Sequence, residues 1–344
     1  MLAALFRRHG GPEVMEVGEV PTPVPGPGQV LVKVRAAALN HIDIWLRRGL
    51  PALKVALPHI AGGDVCGTVA GLGSGVRGAK EGDRVVLNPG LSCGRCPSCL
   101  DGRDNFCPEY KMLGEHAWGG EAEYVVVPAA NLVPAPTGAS DTDLAAVPTA
   151  YITAWQMLVD RAAVRQGETV LIIAAGSGVG TAALQIAKLH GARVIATAST
   201  ARKLEAARAH GADETINHAE TDLVAEVKRL TGRRGVDIVV EHAGGAAFEK
   251  SVVACARGGR IVTCGATAGH EVTLNLRHVF WRQISVLGST LASKSRLFTI
   301  VDLVAAGRLS PIVASVLPLG DIGQAHRMLE AREAFGKVVL RVSS

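Results

Sequence analysis

The sequence predicts an α/β protein in two parts: a β-rich first part and, after about residue 150, a doubly wound parallel sheet. Three observations carry this expectation. Residues 1–130 hold short Val-rich segments separated by Gly and Pro, the pattern of a small barrel or sandwich. From residue 168 onward, apolar runs alternate with helical stretches. Strands that are apolar at successive positions are buried on both faces, as parallel strands are. A chain of 344 residues is also longer than one typical core organises.

In the first part, QVLVKVRAAAL (29–39) is apolar at alternating or successive positions, as half-buried strands are. Residues 63–87 mix short Val-rich pieces with glycines and end in Gly82-Asp83-Arg84-Val85, and EAEYVVVP (121–128) adds a strand. The second part opens with ETVLIIA (168–174), a Gly-rich turn and the helix TAALQIAKLHG (181–191). ARVIATA (192–198) is the next strand, followed by a helix over 201–210. Strands DETIN (213–217), VDIVVE (236–241), GRIVTCG (259–265) and ISVLGS (284–289) come next, with helices TDLVAEVKRL (221–230) and AFEKSVVACA (247–256) among them. The tail, with its terminal strand GKVVLRV (336–342), is expected to return to the first part. This gives boundaries at 1–149, 150–291 and 292–344.

Composition narrows the function classes. The chain is 48% hydrophobic and 19% charged, an ordinary globular balance. A net charge of +5 is spread without a Lys/Arg block, so no nucleic-acid partner is expected. MLAALFRRHGG lacks the ordered regions of a signal peptide, and VLIIAA (170–175) is too short to span a bilayer. A cytoplasmic location without membrane contact is the expectation.

After Ala174 the chain reads AAGSGVGTAALQIA, in which Gly176, Ser177, Gly178, Val179 and Gly180 form a turn into a helix. Its glycines let the backbone approach a pyrophosphate, and the helix offers free N–H groups and a positive dipole end. A strict G-x-G-x-x-G is not met, because Ala175 and Ser177 stand at two of its glycine positions, and no Gly-Lys-Ser/Thr follows for a Walker A loop. The downstream strand–helix units make this a dinucleotide site. About 20 residues on, an NAD site has an acid for the ribose hydroxyls. Here the strand runs into Ser199-Thr200-Ala201-Arg202-Lys203, with no acid before Glu205. Ser199, Arg202 and Lys203 suit a 2′-phosphate, so NADP(H) is expected, with NAD(H) the alternative.

Seven cysteines are present. Cys66, Cys255 and Cys264 stand singly in apolar segments and read as small buried hydrophobes. Cys93, Cys96, Cys99 and Cys107 lie in CGRCPSCLDGRDNFC, a spacing that in a reducing compartment points to a metal site. Thiolates so spaced can enclose one tetrahedral ion, leaving no open coordination position.

Together the GDRV-terminated β-rich part, the cysteine lobe (about 90–110) and the dinucleotide sheet resemble the medium-chain dehydrogenase/reductase superfamily along essentially the whole chain. The resemblance implies a GroES-like catalytic domain, formed by the first part and the tail, around a Rossmann cofactor domain. It implies one structural zinc at Cys93, Cys96, Cys99 and Cys107, and a homodimer or homotetramer. The catalytic zinc ligands of the alcohol dehydrogenases correspond to Asn40, Gly63 and Thr149, and their relay positions to Ile42 and Trp45. Glycine has no donor, and Asn and Thr are poor zinc ligands, so a catalytic zinc is not expected. A substitute metal site from Asp43, Asp64, His41, His59 or His116 is the lesser reading.

The stretch Asn40-His41-Ile42-Asp43-Ile44-Trp45 is similar to the Asn-x-x-Asp-x-aromatic segment of zinc-free quinone oxidoreductases, although that branch generally lacks the cysteine lobe. By this resemblance Asn40 and Trp45 line the substrate pocket, Thr149 lies close to the nicotinamide, and Asp43 belongs to the reaction centre. Without a Lewis acid, hydride addition to an enone or quinone is easier than alcohol oxidation, because the charge spreads onto an oxygen that hydrogen-bond donors can hold. The expectation is an NADPH-dependent reductase of a small carbonyl, enone or quinone substrate. Its rivals are an alcohol or aldehyde dehydrogenase and a nucleotide-binding sensor or structural protein without turnover.

Overall fold

The structure, a computed structural model, describes residues 1–49 and 55–343. Chain contacts divide it into two compact units, Met1–Ile152 with Ser293–Ser344, and Thr153–Ala292.

The first unit is built on a seven-stranded sheet. Its central strand, Gln29–Ala38, buries Val30, Val32 and Val34 at alternate positions, then Ala36, Ala37 and Ala38 in succession. It pairs antiparallel with Asp64–Leu72, Tyr124–Pro128 and Lys337–Arg341. The register matters for the site. Ala38 stands opposite Asp64 on one side and Val339 on the other. Continued two residues, the second pairing sets Lys337 across from Asn40, where the helix His41–Arg48 begins. Gly336 makes the approach possible: its φ is +104°, and a Cβ would stand 2.3 Å from the Ile312 carbonyl oxygen, a position that excludes a side chain.

Two expected boundaries move. The strand expected over 121–128 is confined to Tyr124–Pro128. Glu121 instead bonds through its N–H to Ala61 and through its carbonyl to Ala4, so this stretch stitches segments together. The helix expected over 247–256 is Gly245–Ala254, and Cys255 opens the strand Cys255–Thr263.

The second unit is a six-stranded, wholly parallel sheet. Numbered along the chain from Thr169–Ile172, its strands lie in the order 3-2-1-4-5-6, the doubly wound arrangement of dinucleotide-binding domains. Val170, Leu171 and Ile172, with Ile238, Val239 and Val240 beside them, are all fully buried. The helix expected over 181–191 begins earlier, at Gly178, and ends at Leu189. Ser177 explains the start, since its hydroxyl caps the first turn. Among the described residues, no helix is long and apolar enough to cross a membrane.

Candidate active site

In the first unit a polar network forms around Asp64, whose side chain is wholly buried. Its Oδ1 accepts from the Thr149 backbone N–H at 2.8 Å and from the Thr149 hydroxyl at 2.5 Å. Its Oδ2 accepts from Asn40 Nδ2 at 2.9 Å and from Lys337 Nζ at 3.0 Å. Lys337 Nζ also donates to Asn40 Oδ1 at 2.5 Å. These contacts satisfy the lone pairs of the carboxylate, which is what a buried charge needs. Lys337 was not singled out by sequence reasoning; its one signal is a charge heading the apolar run Val338-Val339-Leu340.

Asn40 and Thr149, two of the positions that the resemblance assigns to catalytic metal ligands, thus meet at Asp64. Gly63 is beside them: a Cβ there would stand 4.0 Å from Thr149 Oγ1. The donor set does not fit a metal ion. Gly63 offers nothing, while Asn40 Oδ1 is already bonded to an ammonium group and the Thr149 hydroxyl donates to Asp64. His41, His59 and His116 supply no substitute. His41 packs edge-on against Trp45 at 5.3 Å, His59 Nε2 lies 2.9 Å from the Gly114 carbonyl, and His116 Nδ1 accepts from Met112. Trp45 is half-buried and stands outside the network.

Asp43 closes the entry to the helix, reaching back to accept the Asn40 N–H at 2.6 Å, half of a capping box. Its other oxygen accepts from the Gly62 N–H at 3.3 Å. Burial pushes the Asp43 carboxyl up to about 7, against the pull of the Asn40 N–H and Lys337. Glu121, also missed by sequence reasoning, is 1% exposed, and neither of its carboxyl oxygens has a hydrogen-bond partner among the described residues. Burial, with the nearby Asp43, lifts it well above the usual carboxylate range.

In the second unit, Gly176, Ser177, Gly178, Val179 and Gly180 form the turn after Thr169–Ile172 and the start of the helix Gly178–Leu189. Ser177 Oγ accepts from the Gly180 N–H at 2.9 Å. A Cβ on Gly180 would stand 2.6 Å from the Ala174 carbonyl oxygen, so only glycine lets helix and strand pack this closely. The turn sits where the strand order reverses, the place at which such sheets bind ligands.

At the end of the neighbouring strand, Arg193–Ala198, come Ser199 and Thr200, and Thr200 caps the helix Ala201–Ala209. Arg202 and Lys203 lie in its first turn. His218 adds a basic neighbour that sequence reasoning missed: its Nδ1 is 3.3 Å from Thr197 Oγ1. Burial, with the charges of Lys250 and Lys203, keeps its pKa below the usual imidazole value. Cationic side chains at a helix N-terminus suit an anion.

Among the described residues, the four thiols of Cys93, Cys96, Cys99 and Cys107 form the group whose ligand atoms converge, all within 4.8 Å of one another. Cys93 and Cys96 Sγ lie 3.9 and 3.5 Å from Cys99 Sγ, near the ~3.8 Å edge of a tetrahedron with metal–sulfur bonds of about 2.3 Å. The Cys96 N–H points at Cys93 Sγ, and the Cys93 N–H at Cys107 Sγ, both at 3.4 Å. Backbone N–H groups of Arg95 and Cys96 draw the Cys93 thiol down to about 6, toward the thiolate a metal binds. The site is therefore fit to hold one closed tetrahedral ion. Lys294 ties the lobe down, its Nζ lying 2.5 Å from Ser92 Oγ and 3.0 Å from Asp104 Oδ2. Of the other cysteines, Cys66 and Cys255 are buried and Cys264 half-buried. Burial pushes the Cys255 and Cys264 thiols up to about 12.

Two family models and several full-length relatives match the chain. The family described as zinc-binding dehydrogenase matches residues 178–306, and the alcohol dehydrogenase GroES-like domain matches residues 26–137. A solved structure of an NAD-dependent alcohol dehydrogenase is 55% identical, with a TM-score of 0.96 and 100% of both chains covered. The quinone oxidoreductase of Sus scrofa is 32% identical over 99% of this chain and 97% of its own. A crotonyl-CoA carboxylase/reductase in complex with NADP is 27% identical, with a TM-score of 0.93 over 99% of this chain and 95% of that one. A parallel dinucleotide sheet, a GroES-like first unit and full-length relatives above 30% identity lead to one assignment: the chain belongs to the medium-chain dehydrogenase/reductase superfamily of oxidoreductases.

Proposed function

We propose that this oxidoreductase reduces an activated C=C bond or a quinone with NADPH, using a structural zinc in the cysteine lobe and no catalytic metal. The observation that carries the reading is the donor set where Asn40, Gly63 and Thr149 converge. Gly63 brings no side-chain donor, the Thr149 hydroxyl is given to Asp64, and the Asn40 amide, held by Asp64 and Lys337, keeps one N–H as a fixed dipole in place of a Lewis acid. Such dipoles are sufficient where the developing charge is delocalised onto an enolate or quinol oxygen. They are a poor means of lowering the pKa of a saturated alcohol.

NADPH, when bound, supplies the hydride. The turn Gly176–Gly180 holds the pyrophosphate against the helix N-terminus, and Ser199, Arg202 and Lys203 hold the 2′-phosphate. Asn40 has one amide N–H beyond the one given to Asp64, and that N–H binds the substrate oxygen. Trp45 would offer an apolar wall to a flat conjugated substrate, and Thr149 is the residue that the family resemblance assigns to the nicotinamide side of the reaction. Homodimers or homotetramers in the cytoplasm complete the reading, and light scattering tests the oligomer.

Steady-state assays decide between the alternatives. Quinones and enones should be turned over with NADPH at kcat/KM at least about tenfold above any simple alcohol with NADP+. Arg202→Ala with Lys203→Ala should raise KM for NADPH about tenfold and leave KM for NADH unchanged. Comparable turnover of alcohols would overturn the substrate reading, and equal KM effects would overturn the phosphate reading. The second reading, an NAD-dependent alcohol dehydrogenase, is favoured by the 55% identical structure described in those terms. The same assays with NAD+ test it.

A further inference from the structure

Ser177 stands where a strict dinucleotide turn has a glycine, and the helix cap alone does not account for what surrounds its hydroxyl. Ser177 Oγ accepts from the Gly180 N–H at 2.9 Å, and His242 Nε2 lies 3.2 Å from the same oxygen. His242 follows the strand Val236–Glu241 and is 8% exposed. Ile172 stands opposite Val240, so the glycine turn leaves its strand beside His242, in the crevice where the strand order reverses. The chain on both sides of the imidazole is clamped. The buried Glu241 carboxyl accepts from the Ala243 N–H at 3.0 Å and from the Gly244 N–H at 3.0 and 3.1 Å. The His242 carbonyl accepts from the Thr267 N–H and from the Thr267 hydroxyl, both at 3.3 Å.

We infer that His242 is a cofactor-positioning residue: its Nε2–H donates to Ser177 Oγ, which leaves the serine O–H to donate to the pyrophosphate. A hydroxyl has one proton to give and two lone pairs to offer. One lone pair holds the Gly180 N–H. Were Nε2 the acceptor, the proton would be spent on the imidazole and the anion would meet a lone pair. With Nε2 as donor, N–H groups fill both lone pairs and the proton is left for the anion. A phosphate oxygen selects this second tautomer, because a hydrogen bond to a charged acceptor is the stronger one. The side-chain oxygen of an N-cap faces the same opening as the first backbone N–H groups. Ser177, through Oγ and its carbonyl, takes the N–H groups of Gly180 and Thr181, which leaves those of Gly178 and Val179 for the anion. The hydroxyl is then a further donor, one that glycine at this position does not supply. The inference rests on the proposed function in one respect: it takes the dinucleotide pyrophosphate to lie at this turn.

Fluorescence titration of the full chain with NADPH tests it, with adenosine 2′-monophosphate, which carries no pyrophosphate, as the competing control ligand. The variants are Ser177→Gly, His242→Val, the two together, and His242→Gln. Ser177→Gly and His242→Val should each weaken NADPH roughly 10- to 100-fold, the loss of one hydrogen bond to a charged group. The double variant should bind no more weakly than the weaker single one, since both changes remove the same bond. His242→Gln, whose amide N–H can stand in for Nε2–H, should recover most of the affinity. Kd for adenosine 2′-monophosphate should stay within about twofold throughout. Additive losses in the double variant, parent affinity in Ser177→Gly, no recovery in His242→Gln, or equal weakening of both ligands overturns the inference. Should His242→Val fail to fold, Ser177→Gly and His242→Gln decide on the same two ligands by the same criteria. A parent protein that binds NADH more tightly than NADPH, and adenosine 2′-monophosphate not at all, overturns the NADPH reading instead. The variants are then read on NADH against adenosine, where the same pattern supports the role of His242 and its absence overturns it.

Discussion

Asp43 and Glu121 bring two carboxyl groups into one fully buried neighbourhood, and among the described residues only Asp43 finds hydrogen-bond donors. Both hold protons more tightly folded than unfolded, Asp43 up to about 7 through burial and Glu121 well above its usual range through burial and Asp43. The folded protein therefore binds more protons than the unfolded chain once pH passes the ordinary carboxylate values, and stability falls as pH climbs from there through about 7. Glu121→Gln keeps the shape and removes one of the two charges. It should raise unfolding free energy at pH 8 by roughly 1–3 kcal/mol and change little at pH 4, measured by urea denaturation at both. Parallel pH profiles for the two proteins would show that Glu121 is not part of a protonated pair. In the sequence, Glu121 looks like the solvent-facing end of a strand. Its burial follows from the backbone bonds that hold the stretch between Ala4 and Ala61, which no local pattern announces.

The helix His41–Arg48 carries the site at its first turn, so its anchorage decides how well the site is held. Ile44 and Leu46 are buried, as an amphipathic helix requires. Arg47 is also fully buried, donating to the Gly10 carbonyl at 3.2 Å and to Glu330, with His326 Nδ1 at 3.2 Å. Burial and the Arg47 charge hold His326 down to about 3, so the imidazole is neutral and can accept from the guanidinium. Arg47→Met leaves Glu330 and His326 without this partner. It should cost about 3–5 kcal/mol in unfolding free energy and lower kcat by loosening Asn40 and Asp43. A loss below about 1 kcal/mol in denaturation would mean the pair behaves like an exposed one. The sequence places Arg47 beside Arg48 and Gly49, where it reads as a solvated helix end. The contacting histidine lies 279 residues further on.

Across the molecule, legibility follows range. The parallel sheet was readable because strands buried on both faces write their burial into consecutive residues, as in Val170-Leu171-Ile172. The cysteine lobe is legible because its four thiols fall within one short stretch. The Asp64 network was readable only in part. Asn40, Asp43 and Thr149 were reached through a resemblance, but Lys337 meets Asn40 across 297 residues, and Thr149 meets Asp64 across 85. Such pairings are set by sheet register, which a sequence does not display.

The same contrast yields a prediction about metal content. The thiols of Cys93, Cys96, Cys99 and Cys107 converge with near-tetrahedral spacing, whereas Asn40, Gly63 and Thr149 present no free donor set beside Lys337. Purified protein should therefore contain one zinc per chain by elemental analysis, and Cys93→Ser with Cys107→Ser should reduce it to none. The ion closes only a short loop, and Lys294 still grips the lobe through Ser92 and Asp104. Its loss should therefore lower the thermal midpoint by several degrees, the response to about 1–2 kcal/mol in a chain of this size. Fluorescence titration with NADPH should be unchanged in that variant, because the cofactor turn lies in the other unit. Two zincs per chain would mean that the network around Asp64 opens to take a metal.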